Sequence, residues 1–228
     1  MEEAEKYSAL YALIPSLSEK IFTDLLAYER LLLKWQKSIN LIAQGAVLTF
    51  WQRHILDSAQ LYPLKSKASL WYDLGSGGGM PALVLAIFLK HRGGGKVHLI
   101  ESNGKKVAFL RHVGAELALP IKVHHGRIEV VRQELPCPEV ITARALAPFN
   151  QLLALSAVWI NQGATTLWQK GCEHAAEICQ ARAEWDFELQ IYHSEIDPKS
   201  VILDVGYVRP KDGCDEWLGR RKEDRGGD

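Results

Sequence analysis

The stretch WYDLGSGGGMPALVLAIF, residues 71–88, constrains the fold more than any other. An apolar run ends at an acid, Asp73, and a glycine-rich segment follows before Pro81 opens a second apolar run. The first run has the length of a buried strand and the second that of a helix, with proline suited to a first helical turn. Glycines placed between them tolerate positive φ and leave the main chain bare for a ligand to approach. In an open α/β sheet, the loop after the first strand lies where ligands bind, outside the carboxyl ends of the strands.

Downstream the alternation continues. VHLIE (97–101), IKVHHGR (121–127), EVITARAL (139–146) and ATTLWQK (164–170) read as strands, with helical patterns at 103–119, 150–160 and 173–185. Strands alternating with helices imply a parallel sheet covered on both faces. The last two strands, FELQIYHSEI and VILDVGYVRP, are joined by only DPKS, too short for a parallel crossover, so they pair antiparallel. The expected fold is α/β, with a seven-stranded, mostly parallel sheet ending in an antiparallel hairpin.

Upstream, SLSE at Ser16–Glu19 fits a capping box. Ile21, Leu25, Tyr28, Leu32, Trp35 and Ile39 then recur on one helical face. A second helix is expected from about Leu48 to Leu61, with Pro63 just beyond it. The chain thus divides into a helical extension (1–68), an α/β domain (69–212) and a charged tail (213–228).

Composition narrows the function classes. The 228 residues are 47% hydrophobic with a formal net charge of zero, so bulk charge does not point to nucleic acid, although a basic face can coexist with a neutral total. Lys105, Lys106, Arg111 and the terminal GRRK are candidates for such a face, as are Arg30 and Arg53. The four cysteines form no CxxC pair and are expected to be reduced thiols, with no zinc site. His124 and His125 are adjacent on a strand and point to opposite faces, which argues against a shared metal. Trp35, Trp51 and Trp159 lie in apolar stripes and are expected in the core. No signal peptide or membrane-spanning run is recognisable, and a cytoplasmic monomer is expected.

Gly75, Gly77 and Gly79 form a GxGxG pattern, and Glu101 follows about 20 residues later at the end of the second strand. A carboxylate there accepts hydrogen bonds from both hydroxyls of a ribose. Met80 stands where a dinucleotide fingerprint has its third glycine. A loop without that feature suits an adenosine ligand lacking phosphates, such as S-adenosyl-L-methionine, with Asp73 facing the cationic end of its tail. His54 and Asp57 lie one turn apart on a helix, and either frame a substrate pocket or dock that helix. Lys170, at the end of the fifth strand, is a candidate for a phosphate.

KWQKSINLIA, FWQRHILDSAQL, DLGSGGGMPALVLAI, LIESNGKKVAFLRHV, HGRIE and ITARALAPF, in this order, resemble the RsmG (GidB) family of bacterial 16S ribosomal RNA guanine-N7 methyltransferases, from about Leu31 to Gly171. The resemblance implies a Rossmann-like class I methyltransferase. It places Gly75, Met80, Glu101, Ile128, Glu129 and Arg144 at the cofactor, and 16S ribosomal RNA or the small ribosomal subunit as partner. Ala82 departs from it, since the family often has glycine after the proline. Guanine N7 carries a lone pair and no proton, so the reaction needs alignment of donor and acceptor, not a general base. Arg144 is the expected catalytic residue, contacting guanine O6, a phosphate or the cofactor carboxylate; the alternative is a surface ion pair. Three other readings stand beside this one. They are a methyltransferase of another substrate, a nicotinamide-dependent oxidoreductase and a noncatalytic RNA-binding module. Met80 and the terminal hairpin weigh against the oxidoreductase.

Overall fold

The computed structural model describes residues 1–211. The charged tail, with Cys214 and the GRRK cluster, lies outside them. Two helices come first, α1 (Glu3–Leu13) and α2 (Glu19–Gln36). A π-helical stretch, Trp51–Leu56, runs into the short helices α3 (Asp57–Ala59) and α4 (Leu61–Leu64). Then β1 (Leu70–Leu74), α5 (Ala82–Arg92), β2 (Lys96–Glu101), α6 (Gly104–Glu116), β3 (Ile121–His125) and α7 (Ile128–Val131) follow. The chain continues through β4 (Val140–Arg144), α8 (Phe149–Ile160), β5 (Thr165–Lys170), α9 (His174–Glu184), β6 (Trp185–His193) and β7 (Val201–Pro210).

The sheet has the order β3-β2-β1-β4-β5-β7-β6, with β1 to β5 parallel and β7 antiparallel to both its neighbours. The strand order reverses at β1 and β4, so their carboxyl ends open the crevice where such sheets bind ligands. Alternate residues of β1 enter different cores. Trp71 packs under α2 and α5, and Tyr72 packs on the other face against α8 residues such as Trp159.

The helical face of α2 forms as its spacing requires, with Ile21, Leu25, Tyr28 and Leu32 buried. Three local features differ from the sequence reading. Ser18, not Ser16, caps α2, its hydroxyl accepting from the Ile21 N–H at 3.3 Å. Helix α2 stops at Gln36, before Ile39. The second helix is broken into a π turn and two short helices, and Pro63 lies inside α4. Proline fits there because a first-turn residue has no intrahelical partner for its missing N–H.

The helices of the first 64 residues share the core of α5 and α6. The Tyr28 hydroxyl donates to the Gly78 carbonyl at 2.6 Å, so α2 braces the glycine loop directly. Trp51 and Trp159 are buried and Trp35 is partly so.

Candidate active site

The glycine loop turns back on the end of β2. The N–H groups of Gly75 and Ser76 both donate to the Ile100 carbonyl, at 2.9 and 3.2 Å. The Gly77 N–H donates to Glu101 Oε2 at 2.8 Å, and Glu101 Oε1 accepts from the Asn103 N–H at 2.7 Å. Glu101, 7% exposed, therefore braces the loop with both oxygens and still has lone pairs for an outside donor. Gly79 has φ +88, and a Cβ there would lie 2.3 Å from Leu83 Cδ1 and 3.2 Å from Leu110 Cδ2, so it lets the loop pass close to α5 and α6.

A cavity of about 340 Å³ lies against this loop, within the range of small-ligand pockets. Gly75, Glu101, Ile128, Glu129, Ala145 and Leu146 are among its lining residues. Asp73, Gly77, Gly79, Met80 and Arg144, also expected at the cofactor, are not among them. Asp73 is buried beside the loop. Its Oδ1 accepts from the Thr142 hydroxyl at 2.7 Å, while Oδ2 has no partner among the described residues. Burial pushes the Asp73 carboxyl up to about 6, against the pull of Thr142, Ser76 and Arg144.

Arg144 ends β4 and draws together residues far apart in the chain. Its Nη1 donates to the Arg53 carbonyl at 2.9 Å and to Asp57 Oδ2 at 3.1 Å, and its Nη2 contacts His54 Nδ1 at 2.7 Å and Met80 Sδ at 3.9 Å. An arginine only donates, so His54 Nδ1 accepts and its ring proton sits on Nε2. Burial, then Arg144 and Arg53, hold His54 down to about 4, which keeps it neutral. Burial raises the Asp57 carboxyl, while Arg144, Gln60 and Gln169 pull it back. The arginine side chain is only 18% exposed, so its ion pair is an internal clamp and not a loose surface contact.

The π turn presents His54 and the Arg53 carbonyl to this clamp, in keeping with the frequent use of such turns at functional sites. Gln60, absent from the sequence reading, is buried and donates to Asp57 Oδ1 at 2.8 Å and to Ser194 Oγ at 3.1 Å. Gln169 donates to the Asp57 carbonyl at 2.8 Å. A glutamine set beside apolar residues is the one signal in the sequence for either. Lys170 pairs with Glu177 and donates to the Ala147 carbonyl at 2.9 Å, which leaves one of its three N–H groups for an outside acceptor. His124 Nε2 lies 3.1 Å from His98 Nδ1, while His125 Nε2 lies 3.2 Å from the Ser102 carbonyl. Among the described residues no cluster of His, Cys, Asp or Glu is arranged to hold a metal.

Comparison with known proteins gives this geometry a context. A family model described as rRNA small subunit methyltransferase G matches residues 21–200. The chain belongs to that family. A ribosomal RNA small subunit methyltransferase G of Bartonella bacilliformis is 50% identical over 209 residues, covering 92% of this chain and 97% of that one. The enzyme of the same name from Brucella anthropi is 44% identical over 211 residues, covering 92% and 99%. Among solved structures, an O-methyltransferase from Bacillus cereus in complex with SAH matches with a TM-score of 0.54 at 15% identity, covering 78% of this chain and 90% of that one. At that identity the likeness speaks for the fold. The methyltransferase G family and the seven-stranded sheet with its antiparallel β7 agree with the class I methyltransferase architecture.

Proposed function

We propose that this chain methylates N7 of a guanine in 16S ribosomal RNA. Family membership gives the reaction class: the chain is an S-adenosylmethionine-dependent methyltransferase of small-subunit ribosomal RNA. The target atom and the roles of individual residues are our reading. In it, residues 69–212 carry the donor side and the helical extension, 1–68, frames the acceptor side.

The residues around the 340 Å³ cavity fit an adenosine-bearing cation. Asp73 Oδ2, a buried carboxylate oxygen without a partner, suits a positive group. Glu101 has lone pairs left for the ribose hydroxyls, and Ile128 and Glu129 offer an apolar and a polar contact for the adenine. Gly75, Gly77, Gly79 and Met80 shape the loop against which the tail lies. When bound, S-adenosylmethionine supplies an electrophilic methyl group.

The protein's part is alignment and charge balance. A guanine attacking through N7 loses no proton, so no base is needed. The ring becomes positive as it is methylated, and a bare arginine beside it would oppose that. Asp57 sits on Arg144 at 3.1 Å and balances its charge. Arg144 then aligns the acceptor without repelling the product, His54 and Asp57 hold Arg144 at the substrate side, and the free N–H of Lys170 suits a phosphate.

The observation that carries this reading is the adjacency of an acid-lined, adenosine-sized cavity to an arginine already neutralised by its neighbours. A ribosomal RNA substrate supports a cytoplasmic location. Both sheet faces are covered by the chain's own helices, which supports a monomer. No described helix is long and apolar enough to cross a membrane. The test is methylation of small subunits from cells lacking the enzyme, with a labelled methyl donor, followed by borohydride and aniline cleavage at N7-methylguanine. One cleavage site in 16S RNA is expected. Label in another RNA, or at an atom that gives no cleavage, would refute the assignment.

A further inference from the structure

Beside the Arg144 clamp lies a second cavity, of about 550 Å³. Its walls include Thr49, Gln52 and Arg53 from the π turn and its approach, Arg144 and Ala145 from the end of β4, and Asp197 from the β6–β7 connection. Among the described residues, Ala145 is the one that lines both this cavity and the cofactor-side cavity. Its φ is +50, a conformation that non-glycine residues seldom adopt and that costs on the order of 1 kcal/mol. A strand end that simply ran on would not take this conformation. The turn leaves one methyl-sized side chain as the wall shared by the two chambers.

We propose that this cavity receives the acceptor guanine and that Asp197 reads its Watson–Crick edge; the proposal rests on the N7-guanine reading above. Guanine presents two adjacent donors on that edge, N1–H and the N2 amino group. Adenine presents an acceptor at N1 beside a donor. A carboxylate accepts from both guanine groups and meets adenine's N1 with a repulsive lone pair. Asp197 is set for this. Its Oδ1 accepts from the Lys199 N–H at 3.0 Å and its Oδ2 from the Ser200 hydroxyl at 2.8 Å, which fixes the group while each oxygen keeps a lone pair. Those two hydrogen bonds hold its carboxyl below the usual range, so it stays ionised. N7 lies on the far side of the bicycle from the N2 amino group. A guanine whose Watson–Crick edge meets Asp197 therefore turns N7 back towards Ala145 and the donor chamber.

The neighbouring cavity of about 290 Å³, on the other side of Arg144, is a poorer host. Asp57, Arg144 and Ala145 line both chambers, but the smaller one adds Glu177, whose carboxylate takes the charge of Lys170 and, with the Ala147 carbonyl, leaves it a single N–H. The larger chamber has Arg53 at its wall, a cation suited to the phosphate that enters with the base.

Two exposed substitutions test the proposal. Asp197→Asn keeps an oxygen for the Lys199 N–H, so the turn survives, but places an amide donor where guanine also donates. Thr49→Trp fills the chamber from its rim. Both are assayed by single-turnover methylation of small subunits from cells lacking the enzyme, beside calorimetric titration with S-adenosylhomocysteine. Asp197→Asn is expected to lower kcat/KM by about tenfold or more, the scale of a lost charge-assisted hydrogen bond. Thr49→Trp should abolish transfer. Titration of both should match the parent, and Asp197→Glu should recover part of the rate. Asp197→Asn turning over at the parent rate would remove the reader, and full activity in Thr49→Trp would remove the chamber. If the unaltered enzyme produces no N7-methylguanine, the underlying functional reading fails instead, in a control separate from both variants.

Discussion

Glu101→Gln separates two duties of one side chain, the loop brace seen in the structure and the ribose contact proposed for it. The carboxylate accepts from Gly77 N–H at 2.8 Å on one oxygen and from Asn103 N–H at 2.7 Å on the other. An amide has a single oxygen, so one of these N–H groups must face an NH₂ group. The loss is one charge-assisted hydrogen bond plus a donor left facing a donor, together about 1.5–3 kcal/mol. In a domain of this size that corresponds to roughly 3–12 °C in Tm. Cofactor affinity should fall by a further factor, because the ribose loses an anionic acceptor and the loop that shapes the cavity is loosened. Differential scanning calorimetry without ligand reads the first effect, and titration with S-adenosylhomocysteine reads the second. A variant that melts with the parent but binds weakly would show that the loop does not depend on Glu101. A variant that melts early but binds with parental affinity would show that Glu101 is only a brace.

Arg144→Lys keeps the charge but cannot reach Arg53, Asp57 and His54 together. Single-turnover methylation should fall about 100-fold, the scale of lost alignment, with S-adenosylhomocysteine affinity nearly unchanged. Gly79→Ala pushes a Cβ to 2.3 Å from Leu83 Cδ1 at φ +88, and urea unfolding should register a loss of about 1–3 kcal/mol. Asp73 must be ionised to hold a cation. With its carboxyl raised to about 6, S-adenosylmethionine affinity should drop by up to about tenfold between pH 7 and pH 5, and Asp73→Asn should flatten that profile. The sign reverses for the unliganded protein. A raised carboxyl means that the folded state holds the proton more tightly than the unfolded chain, so this group's contribution to stability falls as pH rises from about 4 to about 6.

What could be read from the chain followed the range of the interactions. The glycine loop, α5 and the terminal antiparallel pair were legible because each is set by neighbouring residues: backbone freedom at Gly75 and Gly79, apolar periodicity, and a connection too short to cross over. Glu101 was legible as a strand-end acid, but its bond to Gly77 was not, because nothing local aims that side chain at the loop. The clamp was invisible. Arg144 meets His54 and Asp57 across some ninety residues, and only the docking of the π turn on β4 brings them together. In the sequence Asp197 stands only as part of the short connection DPKS, since its cavity is assembled from three separate parts of the fold.

The position of β7 sets an order of events for a chain leaving the ribosome. Strand β6 is made first, yet in the sheet it touches only β7, which lies between it and β5. Until residues 201–210 emerge, β6 has no edge to join, and the carboxyl half of β5 shows an open flank. At about 5–20 residues per second the wait lasts on the order of a second or two. The last strand among the described residues is thus the keystone. A premature stop shortly before it costs the sheet two strands rather than one, and leaves the Ser194–Ser200 connection unable to close over the chamber beside Arg144.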